Sequence, residues 1–259
     1  MSAPQPQSSP SSVPQSLSLA GLLDAHQVLL VLDAASARVQ TGLLSRSGGT
    51  RWETGDAEAG AAIFSGVEKL LAAGALSRLD DVGAFVFCDG PGSLLGIRTA
   101  AVAIRSWNVL RPRPVYSYCS LELVARALAL ATLAIDEKLR DFAVIADARR
   151  DTWHRVAVDA SGNISPLQRV PAAELGAADA ATALVMPEYF RHWTPLPVPA
   201  HRVRSVPYSL ASLLPPLADA PLFAPAPEPD AFLHEEPAYK TWTPQIHRAP
   251  ATRESDSNK

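Results

Sequence analysis

The chain has 259 residues, of which 47% are hydrophobic and 19% charged, and its formal net charge is -3. This is enough apolar material for a substantial core, and the length predicts one large domain or two smaller lobes. The charge balance excludes a protein that binds nucleic acid by charge alone, because such domains are usually basic. The most apolar stretch, residues 121–135, contains Glu122 and Arg126, so we expect no membrane span.

Residues 1–26 are rich in proline, serine and glutamine, and no basic residue precedes their weak apolar patch. This composition predicts a disordered tail rather than a signal peptide. The chain has two cysteines, Cys88 and Cys119. They could pair in principle, but two isolated cysteines in a chain of this length favour buried thiols in a cytoplasmic protein.

In the first half of the chain, strand-like runs alternate with helical ones. An apolar run over residues 28–33 predicts a buried strand, and two alternating runs after it predict hairpin partners. Apolar residues at helical spacing then predict a helix that ends near Gly74. A second buried strand, residues 82–87, leads through a glycine-rich turn into a helix over residues 97–110.

A similar succession of elements returns between Pro114 and Trp193, with a strand, a helix, a buried strand, an alternating strand and shorter elements. This order predicts an α/β fold of two lobes with mixed sheets flanked by helices. We expect the first lobe over residues 27–113 and the second over 114–220. A proline-rich C-terminal segment and tail should follow over 221–259.

The glycine-rich turn has the composition of an anion-binding loop. Gly90 and Gly92 allow a sharp turn, and Ser93 can cap the helix after it. However, the Walker lysine is missing and the spacing fits neither the P-loop nor the dinucleotide fingerprint, which favours a structural turn. Arg98 could contact a phosphate or pair with a carboxylate. The residues assigned to this structural loop are Gly90, Pro91, Gly92, Ser93, Gly96 and Arg98.

Two aspartates, Asp33 and Asp147, end buried strands in the two halves. This is where α/β proteins often place a carboxylate that faces magnesium or phosphate. Each could equally cap a turn or pair with an arginine such as Arg149. The six histidines show no i,i+3 or i,i+4 pair, and neither a Cys-x-x-Cys motif nor a Gly-x-Ser-x-Gly elbow occurs, so we predict no metal centre and no catalytic triad.

Four motifs in order resemble the bacterial TsaB family, over about residues 28–242. They are a strand ending in Asp33 and followed by a hairpin, "GPGSLLGIR" with "VYSYCSLELVARAL" after it, "IADARRDTWHRVAVD", and "EPAYKTW". Two departures remove hydroxyls near the loop. Ala34 and Ala35 replace the family's Thr-Ser after the aspartate, and Leu95 replaces its threonine in Gly-Ser-Phe-Thr-Gly.

The resemblance implies a two-lobed actin-like, ribonuclease H-like fold. It also implies a non-catalytic subunit that supports the paralogue TsaD in threonylcarbamoyl transfer to adenosine 37 of tRNA, with the ATPase TsaE as a further partner. Contact with tRNA would then occur only through the complex, no cofactor would be needed, and a homodimer would form in isolation. A peptidase label has neither a metal cluster nor a triad to support it.

By position, the partner surface would come from the two helices of the first lobe. Ordinary packing against the lobe's own sheet is the competing explanation for the same apolar residues. The residues assigned to partner binding are Gly60, Ile63, Phe64, Val67, Leu71, Ile97, Ala101, Ile104 and Trp107. The alternative function is a phosphotransferase or ATPase of the same fold, using Asp33 or Asp147 with magnesium-ATP.

Overall fold

A computed structural model describes residues 16–73, 78–135, 141–177, 182–196 and 198–232. The first sheet begins with three antiparallel strands that form a meander, followed by two parallel strands and a short final one. These are β1 (Val28–Asp33), β2 (Val39–Ser45), β3 (Gly49–Gly55), β4 (Ala84–Gly90), β5 (Val115–Cys119) and β11 (Ala224–Pro225). The second sheet contains β6 (Phe142–Arg149), β7 (Thr152–Val158), β8 (Gln168–Pro171), β9 (Ala183–Pro187) and β10 (Val203–Val206).

The two sheets share one strand order. The first runs β5-β4-β1-β2-β3 and the second β10-β9-β6-β7-β8, with β11 added at the edge of the first. In both, the opening strand pairs antiparallel with the next strand and parallel with a strand that arrives after a helix. This duplicated topology confirms the predicted α/β fold of two lobes with mixed sheets flanked by helices.

Helices cover the sheets and connect them. They are α1 (Leu19–His26), α2 (Ala59–Ala72), α3 (Leu94–Leu110), α4 (Ser120–Ile135), α5 (Ala172–Ala177) and α6 (Leu210–Leu213). The α2 helix packs against β2, β3 and α3, and α3 packs against β4. The α4 helix contacts β4 and β5 of one sheet and β6 and β7 of the other, so it lies between the lobes.

The lobes are also joined by hydrogen bonds at the start of the first hairpin. Ala37 N donates to Tyr189 O at 2.8 Å, which links the turn after β1 to the segment after β9. Gln40 Nε2 donates to Tyr208 O at 3.2 Å, and Leu210 N donates to Gln40 Oε1 at 2.9 Å. Both polar ends of the buried Gln40 side chain are therefore satisfied by the chain that follows the second sheet.

Three sequence predictions about organisation need correction. The expected tail reached residue 26, but Leu19–His26 form α1, whose Leu19 and Leu22 side chains are buried. The lobe boundary expected after residue 113 is too early, because β5 belongs to the first sheet. The sequence predicts a separate proline-rich segment and tail after residue 220, but β11 pairs with β5. Gly74 and the "EPAYKTW" motif lie outside the described residues.

Candidate functional site

The loop between β4 and α3 packs directly on the turn that follows β1. Ser93 N donates to Ala35 O at 2.7 Å. A Cβ added at Gly92 would overlap Ala35, and one at Gly96 would overlap the carbonyl oxygen of Ala34. The glycines are therefore required by the close approach of two backbone segments.

Polar groups of the loop find partners within the protein. Ser93 Oγ accepts a hydrogen bond from Gly96 N at 3.3 Å and so caps α3, while Ser120 Oγ donates to Pro91 O at 2.6 Å. Arg98 Nε lies 3.6 Å from Asp230 Oδ1, which corresponds to the carboxylate alternative for this arginine. The peptide bond between Gly90 and Pro91 is cis, and the φ of Gly90 is 130°.

Asp33 is a fully buried carboxyl enclosed by protein donors. Its Oδ1 accepts from Ala35 N at 3.0 Å, and its Oδ2 accepts from Tyr118 Oη and Tyr208 Oη at 2.5 Å each. Burial raises the pKa of Asp33, and these hydrogen bonds offset only part of that increase. Because both oxygens are engaged, a metal could reach this carboxylate only by displacing donors from the core.

Asp147 has a similar set of internal partners at the end of β6. It accepts hydrogen bonds from Arg149 N at 2.6 Å, Trp193 N at 2.5 Å and Thr194 N at 3.1 Å, and from Thr194 Oγ1 at 2.7 Å. Burial alone would raise the pKa of Asp147, but the hydrogen bonds outweigh it and hold the pKa below its usual value. Asp147 therefore caps a turn, as the alternative interpretation proposed.

A cleft of about 230 Å³ lies between the lobes, and Asp147 lines it whereas the fully buried Asp33 does not. Its polar lining includes Ser36, Glu58, Ser93, Asp147, Arg149 and Arg191. Ser36 Oγ donates to Arg38 O, Glu58 caps α2, and the Arg149 guanidinium stacks over the Trp193 ring at 4.5 Å. Both carboxylates of this cleft accept hydrogen bonds from the protein, Asp147 from four donors and Glu58 from Ala61 N at 3.4 Å.

The remaining candidates for chemistry near the site are metal ligands and the two cysteines. Within the described ranges, no three histidine, cysteine or acidic side chains come together as a metal centre would require. Cys88 and Cys119 are unpaired, and burial raises the pKa of Cys119 to about 12, which suits the predicted buried thiols. None of the helices described is long and apolar enough to cross a bilayer.

Five of the nine residues assigned to partner binding face the protein's own core. Ile63, Val67, Ile97, Ala101 and Ile104 are all at most 5% exposed. They pack between the helices and the first sheet, because each helix must bury one apolar stripe there. Their assignment to a partner surface is therefore corrected. The other four, which are half-buried or exposed, are Gly60, Phe64, Leu71 and Trp107.

An exposed apolar row on α3 was missed by the sequence interpretation. Leu95, Val102 and Val109 are 74%, 50% and 83% exposed. They recur every seven residues, which places them on one side of a helix. The hydroxyls of Thr99 and Ser106 beside them donate to backbone carbonyls of their own helix at 2.8 Å, so the row stays apolar along its length.

An aromatic pair extends this exposed surface onto α2. Phe64 is 49% exposed and contacts Trp107 edge to face, with ring centroids 5.8 Å apart. Trp107 in turn stacks on the buried Phe85 at 5.7 Å. We call the surface formed by Phe64, Leu95, Val102, Trp107 and Val109 the helical face. The seven-residue spacing of Leu95, Val102 and Val109 could have indicated this face from the sequence, because the row lies opposite the buried stripe of α3.

Comparison with known proteins finds no matching family model and no matching curated protein. Among solved structures, the chain is similar to YeaZ from Pseudomonas aeruginosa, with 21% sequence identity and a TM-score of 0.48 over 62% of this chain and 75% of that one. YeaZ is a synonym of TsaB, the family that the sequence motifs resemble.

Two other similar structures are more distant. A Bacteroides thetaiotaomicron protein of actin-like ATPase fold and unknown function shares 5% identity, with a TM-score of 0.33 over 64% of this chain and 84% of that one. An exopolyphosphatase from Cytophaga hutchinsonii shares 10% identity, with a TM-score of 0.36 over 62% of this chain and 67% of that one.

Proposed function

We propose that the protein is a non-catalytic, TsaB-like subunit that binds and supports a TsaD-type enzyme in threonylcarbamoyl transfer to adenosine 37 of tRNA. The observation that carries this proposal is the exposed helical face, in a chain whose strand-end aspartates are both engaged by internal donors. A TsaE-type ATPase would join the complex. The protein would be cytoplasmic, need no cofactor and reach tRNA only through its partners.

The helical face has the properties of a protein-binding surface. The row from Leu95 to Val109 spans about 21 Å of a helix of 17 residues. Large exposed apolar surface on a monomer commonly marks an interaction site. The exposed Phe64 ring, held against Trp107, supplies an aromatic group of the kind that dominates interface energetics. A helical partner surface would pack against it by ridges and grooves.

Co-purification with TsaD from the same organism tests the proposal directly. We expect a complex at micromolar concentrations, and we expect Val102→Asp to weaken it at least tenfold, because a charge would be desolvated in the middle of an apolar contact. Leu130→Asp is the matched control, since Leu130 is 45% exposed on α4, away from the helical face. Absence of any complex, or equal binding by the two variants, would contradict the proposal.

The biological role has its own test. Deletion of the gene should remove threonylcarbamoyladenosine from bulk tRNA, and the parent chain should restore it. The Val102→Asp variant should restore it poorly if partner binding is what the chain contributes. Unchanged modification after deletion would count against a role in this pathway, whatever the binding experiments give.

The alternative, a phosphotransferase or ATPase using magnesium-ATP, has less support. It needs Asp33 or Asp147 to face a metal, and both are surrounded by hydrogen-bond donors of the protein. Titration calorimetry with magnesium-ATP should therefore detect no tight binding by the isolated chain, and tight binding would favour the alternative. A homodimer formed through the helical face would fit either function, so dimerisation alone does not separate them.

A further inference from the structure

A second cavity lies between α2 and the hairpin of β2 and β3, and we call it the hairpin pocket. Its volume is about 330 Å³, which is at the lower end of the range of about 300–1,000 Å³ for small-molecule sites. Ala61, Ser65 and Lys69, four residues apart on α2, line it. Phe64, by contrast, contacts Trp107 of α3. The hairpin pocket and the helical face are therefore on different sides of α2.

A buried hydroxyl without a partner lies at the floor of the hairpin pocket. Thr41 is 1% exposed, and within the part of the chain that the structure describes its Oγ1 has no hydrogen-bond partner. The side chain lies between those of Val39 and Leu43, which are buried on the same face of β2. Burying a hydroxyl without a hydrogen bond is unfavourable. A polar group bound in the pocket would supply the missing partner.

Small residues form the inner wall of the hairpin pocket. A Cβ added at Gly66 would overlap Thr41 Oγ1, so only glycine lets α2 approach the hydroxyl this closely. A Cβ added at Gly55 would lie 3.1 Å from the Cβ of Ala62, the next close approach of helix and hairpin. The wall near the floor therefore consists of backbone and methyl groups, and the charged groups of the pocket are on longer side chains.

Two of those charged groups are free to meet a ligand. Glu53 pairs with Thr41 across the hairpin, so the two side chains are neighbours on one face of it. Lys69 follows Gly66 by one turn of α2. Among the described residues neither Glu53 nor Lys69 forms an ion pair, whereas Asp56, also in the lining, is paired with Arg38 at 3.0 Å. The pocket thus presents one unpaired carboxylate, one unpaired ammonium group and one unpaired hydroxyl.

This combination suits a small ligand that carries both charges. A simple anion would be repelled by Glu53 and a simple cation by Lys69, whereas a zwitterion is attracted by both. We propose that the hairpin pocket binds a free amino acid. Its ammonium group, which has three donors, contacts Glu53 and Thr41 Oγ1, and its carboxylate contacts Lys69. This site goes beyond the proposed function, and it does not depend on the helical face.

Protein-detected NMR of the full, nitrogen-15-labelled chain tests the site. The probe is an equal mixture of the twenty standard L-amino acids, each at about 2 mM, followed by its members one at a time. We expect saturable shifts of amides in β2, β3 and α2, and at least one member should bind with a Kd below about 2 mM. Ethylamine and acetate, which carry one charge each, should bind at least tenfold more weakly than that member. No saturable shift with the mixture, or equal binding of ethylamine or acetate, would overturn the proposal.

Matched variants assign the binding to this pocket. Glu53→Gln should weaken it at least tenfold, whereas Glu68→Gln, at an exposed position of α2 outside the pocket lining, should leave it unchanged. Equal losses in the two variants would contradict the assignment.

The unpaired hydroxyl has a separate test. Thr41→Val should weaken amino-acid binding at least threefold and should raise the Tm of the ligand-free chain by about 2 °C, because it removes a buried hydroxyl that lacks a hydrogen bond. A lower Tm would show that the hydroxyl is paired inside the protein and would overturn its role in the site. All of these measurements use the isolated chain, so they succeed or fail independently of binding to TsaD.

Discussion

Tyr208 Oη donates a 2.5 Å hydrogen bond to the buried carboxylate of Asp33, although 175 positions separate the two residues. Tyr118 Oη donates to the same oxygen, also at 2.5 Å. One side chain at the end of β1 thus joins β5 and the segment that follows the second sheet. A strand-end aspartate that suggested magnesium chemistry in the sequence serves instead as an internal acceptor that connects distant parts of the chain.

Tyr208→Phe should lower the free energy of unfolding by about 2 kcal/mol, because it removes a buried donor and leaves Asp33 with fewer partners. Tyr116→Phe is the matched control, since its hydroxyl contacts His26 Nε2 at 2.8 Å in a part-buried position, and should cost less than about 1 kcal/mol. Urea unfolding followed by circular dichroism measures both. Equal losses would show that Asp33 does not depend on Tyr208.

Gly96→Ala should destabilise the protein by about 2 kcal/mol or more, because the added Cβ would overlap the Ala34 carbonyl oxygen and force two backbone segments apart. Gly48→Ala is the control, where the nearest atom is the movable Ser45 hydroxyl at 3.3 Å. Thermal unfolding should show a clear decrease in Tm only for Gly96→Ala. If both variants melt alike, the loop does not need its close approach to the turn after β1.

Asp89 should make stability depend on pH. Burial raises its pKa to about 6, which a hydrogen bond with Ser117 only partly opposes, and the charge of Glu122 adds to the increase. Because this folded-state pKa exceeds the ordinary value of 3.8, the stability that the neutral form contributes is complete below about pH 4 and is lost as pH rises through 6.

The variant Asp89→Asn should therefore match the parent near pH 4 and be more stable by about 1–2 kcal/mol at pH 7.5. Urea titrations at the two pH values give this difference directly. Asp219→Asn, at an exposed position, should differ from the parent equally at both. An Asp89→Asn variant that is no more stable at pH 7.5 than at pH 4, relative to the parent, would count against the raised pKa of Asp89.

Asp147 should behave in the opposite way. Its hydrogen bonds hold its pKa below the ordinary value, so the stability they contribute is present above about pH 4 and decreases as pH falls through the folded-state pKa. Asp147→Asn should lose about 1 kcal/mol at pH 7, and this deficit should narrow at pH 2.5 if the protein remains folded there. A deficit that is constant over this range would indicate that the charge of Asp147 contributes nothing.

The sequence predicts most of the strands and helices, but it predicts little of which side chains are buried and which residues they contact. Interior strands such as β1 and β4 are apolar on both faces and are easily recognised. The α1 helix is not predicted, because it directly follows a stretch rich in serine and glutamine and has only two buried leucines, Leu19 and Leu22. On α3 periodicity separates two apolar stripes on opposite sides of the helix, but it does not tell which stripe, that of Ile97 or that of Val102, faces the sheet. Asp33 has partners 85 and 175 positions away, which no local pattern reveals.

The two hydrogen bonds of Gln40 fix how β2 sits against the chain that returns from the second sheet. Moving β2 away from Tyr208 and Leu210 would break both bonds in a buried setting, and each broken bond costs about 1–3 kcal/mol. This part of the first lobe is therefore ordered before any partner arrives. A binding partner would not bear the entropic cost of ordering it.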